Sequence, residues 1–292
     1  MKLKQVIALS LAGLMAGCAS TVDNTYQTNH SRAYNLARAG GLYDAKDYSI
    51  SKAQRESLIS QGWDASGSAL LFNSSKGLGL GWHQSLGFGL ATTLFKPKGV
   101  MERDSLFGWV PESLASTPEQ ARQVMSEKVL SATEAGLKQT QLNFEIGNRH
   151  LHLNVPFVGD YLFSSVQIVA PNQGCPTWEA AGKDLKQTCQ ISITVYSPAD
   201  SSQSVPDFVL PQQTGYAFSA NDSSDYSRLN VELPKSTKIS KVQILSAISQ
   251  HLPPWIFVFT ASEKQENGKY SAPIVWDQGK AQLFVTPENF HM

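Results

Sequence analysis

The hydrophobic pattern of the chain changes its period near Leu142, and that change limits the folds open to it. Leu142-Asn143-Phe144-Glu145-Ile146 and Leu151-His152-Leu153-Asn154-Val155 alternate apolar and polar residues on either side of Gly147-Asn148. Alternation with period two puts the apolar set on one face of a strand, and a Gly-Asn step between two such runs predicts a hairpin. More strand-like runs follow at 165–169, 190–196, 228–233, 255–261, 272–276 and 281–286, punctuated by Pro, Gly, Asn and Ser.

Before Leu142 the signals are helical. Ser51-Lys52-Ala53-Gln54 fits a capping box, with Gly62 as a stop. Thr117-Pro118-Glu119-Gln120 offers a capping hydroxyl, Pro at the first helical position and an acid in the first turn. That helix is expected to run to about Gln139. Its inward stripe (Val124, Met125, Ala132, Ala135) is slender, so it should pack closely on a neighbour. One more helix is expected over 240–252, ended by Pro253-Pro254. The expected fold class is α+β: a mainly helical region over 31–141, then a mostly antiparallel, β-rich region over 142–292 with one disulfide. No repeat of fixed period is present, which argues against propellers and solenoids.

Residues 77–95, ending at Phe95, carry no charge and include Gly77, Gly79, Gly81, Gly87 and Gly89. Glycine is costly in a helix, and His83-Gln84 sits near the middle, so a membrane span is disfavoured. Buried core and a surface that docks on a membrane or partner both remain open.

The amino terminus sets the compartment. Lys2 and Lys4 precede an uncharged run from Val6 to Ala16, about 11 residues, far short of the roughly 20 needed to cross a bilayer. Leu14-Met15-Ala16-Gly17-Cys18 follows, and it resembles the lipobox of bacterial lipoproteins, with Met15 where Leu is commonest. The resemblance covers residues 1–18 and is silent on the mature fold. It implies a signal peptide over 1–17 and acylation of Cys18, several acyl chains giving stable membrane anchoring. Ala19 stands where Asp often marks retention at the inner membrane, so the resemblance implies the periplasmic side of the outer membrane. Residues 18–30 are the lipidated cysteine and a polar tether.

With Cys18 taken by lipid, Cys175 and Cys189 remain as a pair in an oxidising compartment, expected to close a disulfide loop. The precursor has 24 basic and 24 acidic residues. Such a balance provides no basic field for nucleic acid, and no nucleic-acid partner is expected.

His83-Gln84-Ser85-Leu86-Gly87 resembles a nucleophile elbow but lacks the first glycine of the tight turn. Gly77, Gly79 and Gly81 lack dinucleotide-loop spacing, and no nucleotide or other cofactor is expected. His150 and His152 share a strand face and can start a zinc site, yet no third ligand is nominated, so a solvated strand face is preferred and no metal is expected. Asp160, Glu179 and Asp184 are acids that an envelope hydrolase would need to bring together. Trp178, inside the cysteine loop, is either a recognition tip or a cover for the disulfide. The expectation is a non-enzymatic binding or assembly component of the cell envelope, with an envelope protein as partner. The competing expectation is a hydrolase acting on peptidoglycan or glycan through dispersed residues.

Overall fold

The computed structural model describes residues 25–60, 68–70, 97–155, 159–181, 187–221, 225–264 and 270–286. Cys18, the stretch 77–95 with both of its motifs, Gly62 and Asp184 lie outside the described residues.

The described residues are mostly β, and this corrects the expected fold class: among them there is no helical amino-terminal half. The described elements run α1 (Arg32–Ala39), α2 (Lys52–Ser60), β1 (Ser68–Leu70), β2 (Ser105–Pro111), α3 (Pro118–Gln139), β3 (Asn143–Val155), β4 (Gly159–Val169), α4 (Trp178–Ala181), β5 (Cys189–Tyr196), β6 (Gln203–Ser204), β7 (Thr214–Phe218), β8 (Arg228–Glu232), α5 (Lys241–His251), β9 (Ile256–Thr260), β10 (Ile274–Asp277) and β11 (Lys280–Leu283). Two antiparallel sheets result. The first has the order β1-β11-β10-β9-β2-β7-β6, and the second β3-β4-β5-β8. β2 is what overturns a helical first half, because it comes early in the chain yet sits inside the first sheet. All seven of its residues, Ser-Leu-Phe-Gly-Trp-Val-Pro, are buried. A strand covered on both faces shows no polar alternation, so its sequence carries no period-two signal. Among the described residues, no helix is long and apolar enough to cross a membrane.

The helix signals translate into contacts. In the capping box Ser51 N–H donates to Gln54 Oε1 at 2.8 Å, and Gln54 N–H donates to Ser51 Oγ at 3.3 Å. Thr117 Oγ1 caps α3 by accepting from Gln120 N–H at 3.3 Å. α3 and α5 lie together between the sheets: α3 packs on β3, β4 and β5, while α5 packs on β10 and β11. Their close approach rests on Gly136, where a Cβ would lie 2.7 Å from the backbone nitrogen of Ile248. Around them runs a continuous core of Leu106, Met125, Val129, Val166, Ile191, Ile193, Ile248, Val258 and Trp276. On the opposite face of the first sheet, α1 covers Phe107, Trp109, Phe257, Phe259 and Phe284. The sheets meet at β2, where Leu106 N–H donates to Ser227 O at 2.8 Å, just ahead of β8.

Residues 25–30, assigned above to the tether, already touch the domain. Tyr26 packs edge-on against Phe208, and Gln27 N–H donates to Asn35 Oδ1 at 2.7 Å. Buried Asp47 gathers His30 Nδ1 at 3.0 Å, Ser31 N–H at 2.8 Å and Ser31 Oγ at 2.5 Å.

Gly147-Asn148 is not a hairpin turn. Asn143–Val155 forms one strand, and the register against β4 slips by a residue between Ile146 and Arg149. A two-residue hairpin of the preferred kind needs positive φ at one or both central residues, and neither Gly147 nor Asn148 has it. The pair makes a β-bulge instead, and the missing side chain of Gly147 admits Ser165, whose Oγ would lie 2.4 Å from a Cβ there. The reversal comes later, where Val155 opposes Gly159.

Candidate functional site

The second sheet ends on its longest strand. β3 has 13 residues and pairs with β4 on one side; among the described residues no strand pairs with its other side. Alternation places Val166, Ile168, Ile191, Ile193, Leu229 and Val231 on the core face, all buried, and α3 packs on that face over β4 and β5. Phe144, opposite Ile168, packs partly against that core. Farther along, α3 no longer covers the same face. Ile146 is 52% exposed, Leu151 49% and Leu153 56%, although Ile146 opposes buried Val166 and Leu151 opposes buried Leu162. Arg149, between them, reaches Glu127 on α3 at 3.5 Å. A long edge with a row of exposed apolar side chains is a template for another strand, and folded proteins normally blunt such edges with charge, proline or a cover. Among the described residues the bulge and the charges of Glu145 and Arg149 do so here.

The outer face of the same sheet is aromatic. His150 and His152 share it, with ring centroids 6.2 Å apart. His152 stacks on Tyr161 at 4.5 Å, and Tyr161 lies 5.2 Å from Tyr196. Burial pushes the Tyr196 phenol up from its ordinary value, with Arg228 opposing that shift. Arg103 lies over the Tyr226 ring, 3.5 Å from its centroid. Among the described residues no three His, Cys, Asp or Glu side chains gather as a metal site would need. The sequence placed the two histidines on one face correctly, and the structure gives His152 an aromatic partner.

Of the three sequence-named acids, Asp160 and Glu179 lie among the described residues, toward opposite ends of β4. Asp160, second in β4, lies 3.8 Å from Arg122 Nη1. Glu179 is exposed on α4, shortly after Pro176, whose carbonyl accepts from Gln167 Nε2 at 3.1 Å. Gln167 stands roughly 23 Å along the strand from Asp160, against the ~5–10 Å between the carboxylates of a glycosidase.

Cys175 and Cys189 form the expected disulfide, their Cα atoms 5.3 Å apart. The bridge ties the start of β5 to the segment after β4, where Ala170 and Cys175 exchange backbone hydrogen bonds. Trp178 opens α4 within that loop and is half-buried.

A cavity of about 290 Å³ lies beside Tyr226, Arg228 and the start of α5. Sequence reasoning missed its charged wall. Lys241 Nζ donates to Asp104 at 2.9 Å and to Glu263 at 2.7 Å, and the other oxygen of Asp104 accepts from Ala261 N–H at 2.8 Å. Burial is the largest influence on Lys241 and lowers its pKa, but the two carboxylates outweigh it and leave the pKa raised. These charges satisfy one another, so they fasten α5 to β2 and β9. Among the described residues, the β3 edge offers an outside molecule main-chain donors and acceptors beside an apolar row. No protein-family model matches this chain, and comparison with curated proteins and with solved structures finds no match.

Proposed function

We propose that this chain is a lipoprotein tethered to the periplasmic side of the outer membrane, acting without catalysis as a binding or assembly component of the cell envelope. The observation that carries the binding role is the open β3 edge with Ile146, Leu151 and Leu153 exposed along it. The lipobox-like sequence ending at Cys18 supports the address. The Cys175–Cys189 bridge suits an oxidising compartment. Strand addition at such an edge draws its strength from main-chain hydrogen bonds and its selectivity from alternate side chains.

Two measurements test this together. Metabolic labelling with a fatty-acid analogue should mark the wild type and not Cys18→Ser. A photoreactive residue in place of Leu153 should cross-link in living cells to one reproducible envelope protein. The same residue in place of Lys280, on the first sheet, should not. An unlabelled wild type refutes the address, and equal cross-linking from both positions refutes the edge.

A further inference from the structure

We propose that the open edge of β3 pairs with the β3 edge of a second copy of this chain, antiparallel about a twofold axis passing through Arg149. The proposal rests on β3 being the working edge and names its occupant.

The bulge makes the strand complementary to itself. Five positions separate Ile146 from Leu151, an odd number that in a regular strand puts two side chains on opposite faces. The slip at Gly147-Asn148 restores the match: Ile146 opposes Val166 and Leu151 opposes Leu162, and both of those β4 residues face the core. By the same register Glu145 opposes Gln167 and His152 opposes Tyr161, on the outer face. A twofold axis perpendicular to the sheet keeps the core face of each copy on the same side. Ile146 then meets Leu151 of the second copy, Phe144 meets its Leu153, and Glu145 meets its His152. Each match occurs twice, once on either side of the axis.

Apolar residues thus oppose apolar ones on the core face to either side of Arg149, which falls on the axis opposite its own copy with Glu127 of its own α3 at 3.5 Å, and on the outer face a carboxylate opposes an imidazole, as ion pair or hydrogen bond. Sliding the register by one residue sets Ile146 against His150 or His152 and loses all three matches. The arrangement joins two four-stranded sheets into one of eight, and it covers the exposed row that α3 leaves bare.

The test uses full-length protein purified in detergent. Light scattering is expected to give twice the protomer mass. Mixing Ile146→Cys protein with Leu151→Cys protein under mild oxidation is expected to give a covalent dimer, because directly opposed Cα atoms fall within disulfide reach. Neither variant alone should link, since like positions stand roughly 13 Å apart along the strands in this register, the bulge having removed one step. Glu145→Lys removes the carboxylate that faces each His152, once on either side of the axis, and should weaken association about tenfold. Adding His152→Glu to that variant should restore it. Protomer mass at every concentration, or linkage of each single variant with itself, overturns the proposal. If cells instead yield only a different protein cross-linked at Leu153, the second copy is the wrong occupant and the binding role stands; if they yield nothing, both fall.

Discussion

Replacing Gly136 by alanine sets two known effects against each other. Helix propensity favours the change by about 1 kcal/mol, because glycine is the costlier residue in a helix interior. Packing opposes it. The new Cβ would lie 2.7 Å from Ile248 N, 2.8 Å from Ile248 Cα and 2.9 Å from Ala247 C, all backbone atoms of α5. Carbon contacts are comfortable at about 3.5–4.0 Å, so α5 must retreat by about 1 Å. Backbone cannot swing aside as a side-chain tip can, which places the cost near the upper end of the ~1–3 kcal/mol range for overpacking. The expected net loss is about 2 kcal/mol, or a fall in Tm of ~4–8 °C for a chain of this size. Thermal and urea unfolding followed by circular dichroism measure it, with Ser131→Ala, exposed on the same helix, as a control expected within ~0.5 kcal/mol. A Gly136→Ala protein as stable as the wild type, or more so, would refute the close contact between α3 and α5.

Reducing the Cys175–Cys189 bridge opens a loop of about 15 residues and should cost ~3 kcal/mol, read as a lower urea midpoint with reductant present. Lys241→Met leaves Asp104 without its cation and should cost about 1–3 kcal/mol near neutral pH. The Lys241 pKa is raised on folding, so its stabilisation is complete below the ordinary value of 10.5 and disappears as pH rises through the folded-state value. The gap in urea midpoint between wild type and Lys241→Met should therefore close in strongly alkaline solution. Asp47→Asn weakens the clasp on His30 and Ser31, and hydrogen exchange should quicken at residues 25–31 while the sheets stay protected.

Local signals in the sequence carried as far as their causes were local. Thr117 and Ser51 announced helix starts because a capping hydroxyl acts within three residues, whereas the close approach of α3 to α5 rests on Gly136, which the expected stripe of Val124, Met125, Ala132 and Ala135 did not include. The runs at 190–196 and 228–233 became β5 and β8 because each has one face in the core and one polar face. β2 was invisible for the converse reason, as burial on both sides erases alternation. The β3 edge was half visible. Its apolar residues were plain in the sequence, but whether Gly147-Asn148 turns the chain or bulges it depends on Ser165, 18 residues on, filling the space left by the glycine. Without that register, Ile146 and Leu151 belonged to two strands rather than one row. The ion pairs of Lys241 span 137 residues to Asp104 and had no sequence signature.

The junction at β2 also governs how this chain can be cut. The first sheet takes β1 and β2 from before Leu142 and β6, β7 and β9 to β11 from after it, with β3, β4 and β5 coming between in the sequence. A break near residue 141 would thus strand β2 on one fragment and its neighbours β7 and β9 on the other. Neither fragment would hold the first sheet complete, so soluble halves should be recovered only when the two are made together and reassemble around that shared strand.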